Sequence, residues 1–179
     1  MPMRDKAFYR NKLYTLLHQD HSFDCETLIE YGYDAIEKGN FRKAFRLFAL
    51  GYRLIGNHPE ILNGLGLTLC EMGKLKFSKN FLLFALKKFP ENVFILSNLA
   101  TVYFEEYDYD KAIYFYTRAI NVDPFFIEAH INLINVYFER GDIFMAYISC
   151  LDLLKKDPDN YEVQELCNDI ILNMGLSLV

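Results

Sequence analysis

The chain has no apolar run of about 18 residues, the length needed to cross a bilayer as a helix. Nothing in its 179 residues is therefore expected to span a membrane. It also has no excess of positive charge. The net charge is −5, which disfavours a nucleic-acid or anionic-membrane partner. The opening segment MPMRDKAFYRNKLYTLLHQDHSF is broken by charges and lacks the apolar stretch of a signal peptide, which points to a cytoplasmic protein. The four cysteines, Cys25, Cys70, Cys150 and Cys167, show none of the spacings of a zinc or redox site. Cys150 and Cys167 fall where a helical pattern wants burial, so they are expected as small reduced hydrophobes in a reducing compartment. Glycine-rich phosphate loops, GxSxG, HExxH and metal-spaced Cys/His clusters are all missing. The expectation is a protein that is not an enzyme and needs no cofactor or metal.

What the chain does have is hydrophobic content, 52% with 24% charged residues, which excludes disorder. It also has a period of about 34 residues, a length that means stacked units, none of which can bury its apolar stripe alone. Leu99, Tyr103, Ala112, Tyr116, Ala119 and Pro124 mark two amphipathic helices joined by a tight turn. One period forward stand Leu133, Tyr137, Ala146, Cys150, Leu153 and Pro158; one period back stand Leu65, Leu69, Ser78, Leu82, Ala85 and Pro90. Four units follow, at 25–58, 59–92, 93–126 and 127–160.

The first unit carries Leu28, Tyr31, Gly32 and Ala35, then Phe41, Ala44, Phe45, Phe48 and Leu54. The second buries Leu62, Leu65, Gly66 and Leu69, then Phe77, Phe81, Leu82 and Ala85. Gly39, Gly73 and Gly141 mark three of the four turns; the fourth has Tyr107 there and lacks the permissive residue. Residues 1–24 precede the units, and Lys6 to His18 can form an amphipathic helix with Phe8, Leu13, Leu16 and Leu17 on one side. That helix is expected to cover the first unit; the alternative is that it mediates a homodimer. His18 and His21 read as a surface pair. Residues 161–179 begin like another first helix, end at Gly175, and read as a cap.

This period, the small residue in each second helix (Ala44, Ser78, Ala112, Ala146), the helix-ending prolines and pairs such as Leu99-Ala100 before Tyr103 resemble the tetratricopeptide repeat (TPR) family. The resemblance covers all four units, 25–160, in register. The tryptophan that family favours is Leu28, Leu62, Leu96 or His130 here, with His130 expected at a packed core position. The resemblance implies an all-α right-handed superhelix whose concave wall comes from the first helix of each unit.

On that wall the resemblance places Ile29, Tyr33 and Ile36, then Asn63, Leu67 and Cys70, then Phe94, Ser97, Asn98, Thr101 and Phe104, then Ile131, Asn132, Asn135 and Phe138. Exposed aromatics at Tyr33, Phe94, Phe104 and Phe138 imply that something covers them. Glu37, Glu71, Glu105 and Glu139, each one period from the last, form an acidic edge that would draw in basic ligands. Asn98 and Asn132, with Asn135 beyond, could hold an extended backbone through their carboxamides. The inward cations with which related co-chaperones hold acidic C-termini are missing. The expected function is therefore an adaptor or assembly factor whose groove holds an extended or helical segment of another protein, apolar with basic residues. Two alternatives stand beside it. One is a chaperone similar to the TPR chaperones of type III secretion, keeping a client in solution. The other is a structural subunit of a larger complex.

Overall fold

The computed structural model describes residues 25–174. The expected N-terminal helix, the His18–His21 pair and the end at Gly175 lie outside the described residues. Within them the chain forms nine helices and no strand: α1 Cys25–Glu37, α2 Phe41–Ile55, α3 Pro59–Glu71, α4 Leu75–Lys88, α5 Val93–Glu105, α6 Tyr109–Val122, α7 Ile127–Arg140, α8 Ile143–Lys156 and α9 Tyr161–Asn173. The odd helices begin at 25, 59, 93, 127 and 161, and the even ones at 41, 75, 109 and 143, so both sets advance by one period at each step.

Local chemistry sets these boundaries. The side chains of Asn40, Asn92, Asp108 and Asn160 accept from the backbone N–H three residues on, and Pro59 opens α3. Each of the first four odd helices ends in the same pair of hydrogen bonds. In the first, the Gly39 N–H donates to the Ile36 carbonyl and the Asn40 N–H to the Ala35 carbonyl, and the pattern recurs at 73/74, 107/108 and 141/142. That closure needs one left-handed residue. Gly39, Gly73 and Gly141 supply it at φ 67°, 68° and 87°, and Tyr107 adopts φ 60° in the third turn. A left-handed residue with a side chain costs roughly 1–2 kcal/mol, and relief by glycine is partly offset by unfolded-state entropy. Tyr107→Gly is thus expected to raise unfolding free energy by about 0.5–1 kcal/mol, read from chemical denaturation. The side chain is 79% exposed, so little packing is lost.

The core runs down the stack in three clusters, centred on Phe48 and Ile61, on Leu96, Leu99 and Tyr116, and on Leu153, Val163 and Ile170. Ala44, Ala112 and Ala146 are fully buried where paired helices touch. Ser78 occupies the equivalent slot, and its hydroxyl donates to the Gly66 carbonyl at 2.7 Å. Around Phe48 of α2 the close contacts are made by glycines of α1 and α3: a Cβ on Gly32 would lie 2.5 Å from the Phe48 ring, and one on Gly64 would lie 2.4 Å from it. Phe48 is held between two helix backbones.

Several expectations are corrected. Tyr31, Leu54 and Phe77, placed on buried stripes by period, are 46%, 59% and 61% exposed, because each helix pair buries only a narrow stripe and these lie off it. His130 is half-buried, not core. Its Nε2 sits 3.1 Å from the Pro124 carbonyl and 3.3 Å from Lys156 Nζ. Burial first, and then Lys156, hold its pKa below the usual value. Cys150 and Cys167 are buried but not reduced: they form a disulfide joining α8 to α9, with Cα atoms 5.8 Å apart.

Candidate functional site

The odd helices of successive units pack on one another across α1, α3, α5 and α7, whereas the even helices pack only against odd ones. The stack therefore curves with the odd helices on its inner side. There a cavity of about 420 Å³ opens, lined by Tyr33 of α1, Glu60, Asn63 and Leu67 of α3, Phe94, Ser97 and Asn98 of α5, Glu128 of α7, and the cap residues Asn92 and Phe126. Glu60, Phe94 and Glu128 occupy one phase of the period, the second position of three successive odd helices. Stacking puts Phe94 between two carboxylates.

A directed chain of hydrogen bonds crosses the wall. Asn98 Nδ2 donates to Asn63 Oδ1 at 2.8 Å, Asn63 Nδ2 donates to the Tyr33 hydroxyl at 3.1 Å, and that hydroxyl donates to the Glu60 carbonyl at 3.3 Å. The Tyr33 ring meets Phe48 edge-on at 5.2 Å, which ties the wall to the core. Burial raises the Tyr33 pKa, Asn63 opposing and Glu60 adding to it. Phe94 is 51% exposed, its ring edge-on to Phe126 at 5.3 Å. Burial also raises the Glu128 carboxyl above its ordinary value. The Ser97 hydroxyl is buried and makes no hydrogen bond.

Of the residues proposed for the groove, Tyr33, Asn63, Leu67, Phe94 and Asn98 line this cavity, as does Ser97. Ile29 does not; it is buried in the first core cluster, one position inside the wall. Thr101 Oγ1 donates to the Ser97 carbonyl at 3.2 Å and lies 2.8 Å from the Tyr116 hydroxyl. Phe104 packs half-buried on Tyr109. Ile131 and Phe138 pack half-buried on the last core cluster, and Asn132 and Asn135 are half-buried on α7 away from the cavity. Of the carboxamides expected to hold an extended backbone, Asn98 lines the cavity and is bonded to Asn63, while Asn132 and Asn135 are not part of its lining. Of the four aromatics expected to be exposed, Phe94 alone is; Tyr33, Phe104 and Phe138 are half-buried. Glu37, Glu71, Glu105 and Glu139 sit at or near the ends of α1, α3, α5 and α7, where the chain turns out toward solvent. Burial, then Glu105 and Glu71, push the half-buried Cys70 thiol up to about 12, so it stays protonated and unreactive at neutral pH.

Glu60, Asn92, Phe126 and Glu128 were missed, although one period either way from Phe94 lands on Glu60 and Glu128. Charge separates with the helices as well. The odd helices carry twelve Asp and Glu against one Arg, and the even helices carry twelve Lys and Arg against two Asp. The odd helices are thus acidic and the even helices basic. No helix among the described residues is long and apolar enough to cross a membrane.

Comparison with protein-family models finds no match, and comparison with curated proteins finds none. Solved structures do match. TTC0263, a thermophilic TPR protein of Thermus thermophilus, superposes over 85% of this chain and 84% of its own, with TM-score 0.76 and 19% identity. A MamA protein matches over 85% and 83%, with TM-score 0.66 and 20% identity. A chain of the APC/C hetero-tetramer Cut9–Hcn1 matches over 82% of this chain and 30% of its own, with TM-score 0.72 and 18% identity. The fold they share with this chain is the TPR α-solenoid.

Proposed function

We propose that the chain is a non-catalytic protein-interaction module that holds a segment of a partner protein against its concave face, as an adaptor or assembly factor. The observation that carries this reading is the open cavity built by successive odd helices, with an aromatic ring left half exposed and carboxylates around it. A half-exposed phenylalanine in a concave, partly apolar site is the usual arrangement of a binding pocket. The acidic inner helices favour a segment of net positive charge and speed its approach.

The test is retention of partners from a native lysate by the wild type, by Phe94→Ser/Leu67→Ser, and by a variant with lysine at Glu37, Glu71, Glu105 and Glu139. These sites are at least partly exposed, so melting is expected to shift little. The expected result is a partner retained by the wild type and at least about ten-fold depleted from both variants, a loss of roughly 1.4 kcal/mol. Partners indifferent to all of these changes would remove the concave face from recognition.

A further inference from the structure

We infer that the cavity between α3, α5 and α7 takes an arginine side chain from the partner segment, seated on Phe94 between Glu60 and Glu128. This deepens the protein-binding reading above and rests on it.

The first reason is unmatched charge. Glu60 and Glu128 both line the cavity, no Lys, Arg or His shares the lining, and neither carboxylate has an ion-pair partner among the described residues. Glu128 is exposed to solvent, and the groups crowding it in the cavity still disfavour its charged form and raise its carboxyl above the ordinary value. An approaching cation recovers that cost.

The second reason is independent of the carboxylates. Ser97 is 2% exposed, lines the same cavity, and its hydroxyl has no partner. A buried hydroxyl without a hydrogen bond is unfavourable, so one buried in a cavity wall points to a missing group. The other such atoms among the described residues, His58 Nδ1 and Thr68 Oγ1, belong to residues outside the lining.

The third reason is the polarity of what remains. The chain from Asn98 through Asn63 and Tyr33 to the Glu60 carbonyl runs in one direction and leaves the Asn98 carboxamide oxygen at its head. Two carboxylates and the Asn98 oxygen are therefore open to donors, with the unpartnered Ser97 hydroxyl buried in the wall beside them. Arginine offers five N–H donors in a plane and no acceptor, and its flat cation stacks on an aromatic face. Lysine brings the charge as a compact, strongly hydrated point and fits the ring less well. At about 420 Å³ the cavity also has room for an apolar neighbour on Leu67 and Phe126.

The probe is Nα-acetyl-Leu-Arg-Phe-amide, whose one charge is the guanidinium, titrated into the ¹⁵N-labelled full chain beside its neutral citrulline analogue. The side-chain amide signals of Asn63 and Asn98 report the cavity. The expected result is saturable shifts there, with the arginine peptide at least ten-fold tighter than the citrulline one, and that preference lost in Glu60→Gln/Glu128→Gln. Ser97→Ala is expected to weaken the arginine peptide about three-fold while leaving melting unchanged or raised, because the hydroxyl has nothing to lose in the free protein. Equal affinity for both peptides at these signals would overturn the arginine assignment and leave the protein-binding reading standing. No shift with either peptide would overturn it too, and the lysate experiment judges the broader reading separately. Tighter binding of the probe to Arg4→Gln/Arg10→Gln would put this chain's own residues 1–24 in the cavity and overturn the assignment to a partner.

Discussion

Phe48→Ala is expected to lower the unfolding free energy by about 4 kcal/mol, within the range for deleting a buried phenyl ring. The side chain is 1% exposed, and its walls are the backbones of α1 and α3 at Gly32 and Gly64. Glycines have no side chains to move into the space, so the void cannot close cheaply. Because each unit of a stacked protein touches only its neighbours, the damage is expected to be local. Hydrogen exchange should speed up in α1 to α3 and stay slow in α5 to α8. The converse change tests the same contact. Gly64→Ala adds a better helix former, worth up to about 1 kcal/mol, but forces a methyl to within 2.4 Å of the Phe48 ring. Overpacking costs about 1–3 kcal/mol, so Gly64→Ala should destabilise, and Phe48→Leu added to it should restore part of the loss. If Phe48→Ala costs less than about 1 kcal/mol, the ring is not held as described. The Tyr33 signal should move as well, since its ring rests on Phe48 and links this core contact to the cavity.

Reduction of the Cys150–Cys167 bond is expected to cost about 3 kcal/mol, the loop-closure value for a separation of this size; the two residues are 17 apart. The effect should appear first in α9, whose Val163 and Ile170 pack on Leu153 and Ala146 at the end of the stack. Melting with and without dithiothreitol, and Cys150→Ser/Cys167→Ser, measure it. Alkylation of the unreduced, denatured chain should label Cys25 and Cys70 and leave the other two protected. Labelling of all four with no change in melting would show that the pair is reduced in solution. The outcome also bears on where the protein works, since structural disulfides persist in oxidising compartments and cytosolic thiols stay reduced.

The repeat was legible in the sequence because it is local. A fixed period, an asparagine or aspartate before several helices and a glycine or its substitute Tyr107 at each turn act within a few residues of themselves. They determine where helices begin and end whatever they pack against. The small residue at Ala44, Ser78, Ala112 and Ala146 likewise marks the contact within each pair. The resemblance to the repeat family led to Tyr33, Asn63, Leu67, Phe94 and Asn98 on the inner wall.

What tertiary structure decided concerns residues in different phases of the period. Asn63 and Asn98 are 35 residues apart, one position off the period, and they bond only because α3 and α5 pack side by side. Ile29 and Asn63 share a phase and are both buried, yet Ile29 packs into the first core cluster while Asn63 lines the cavity. Cys150 and Cys167 carry no spacing signal, and the packing of α9 on α8 brings them together. The cavity itself is lined from α1, α3, α5 and α7 together, so it exists only once these helices are stacked. The period says that helices stack, while side chains meeting across units, such as Phe48 of the first unit against Gly64 of the second, decide how closely they approach.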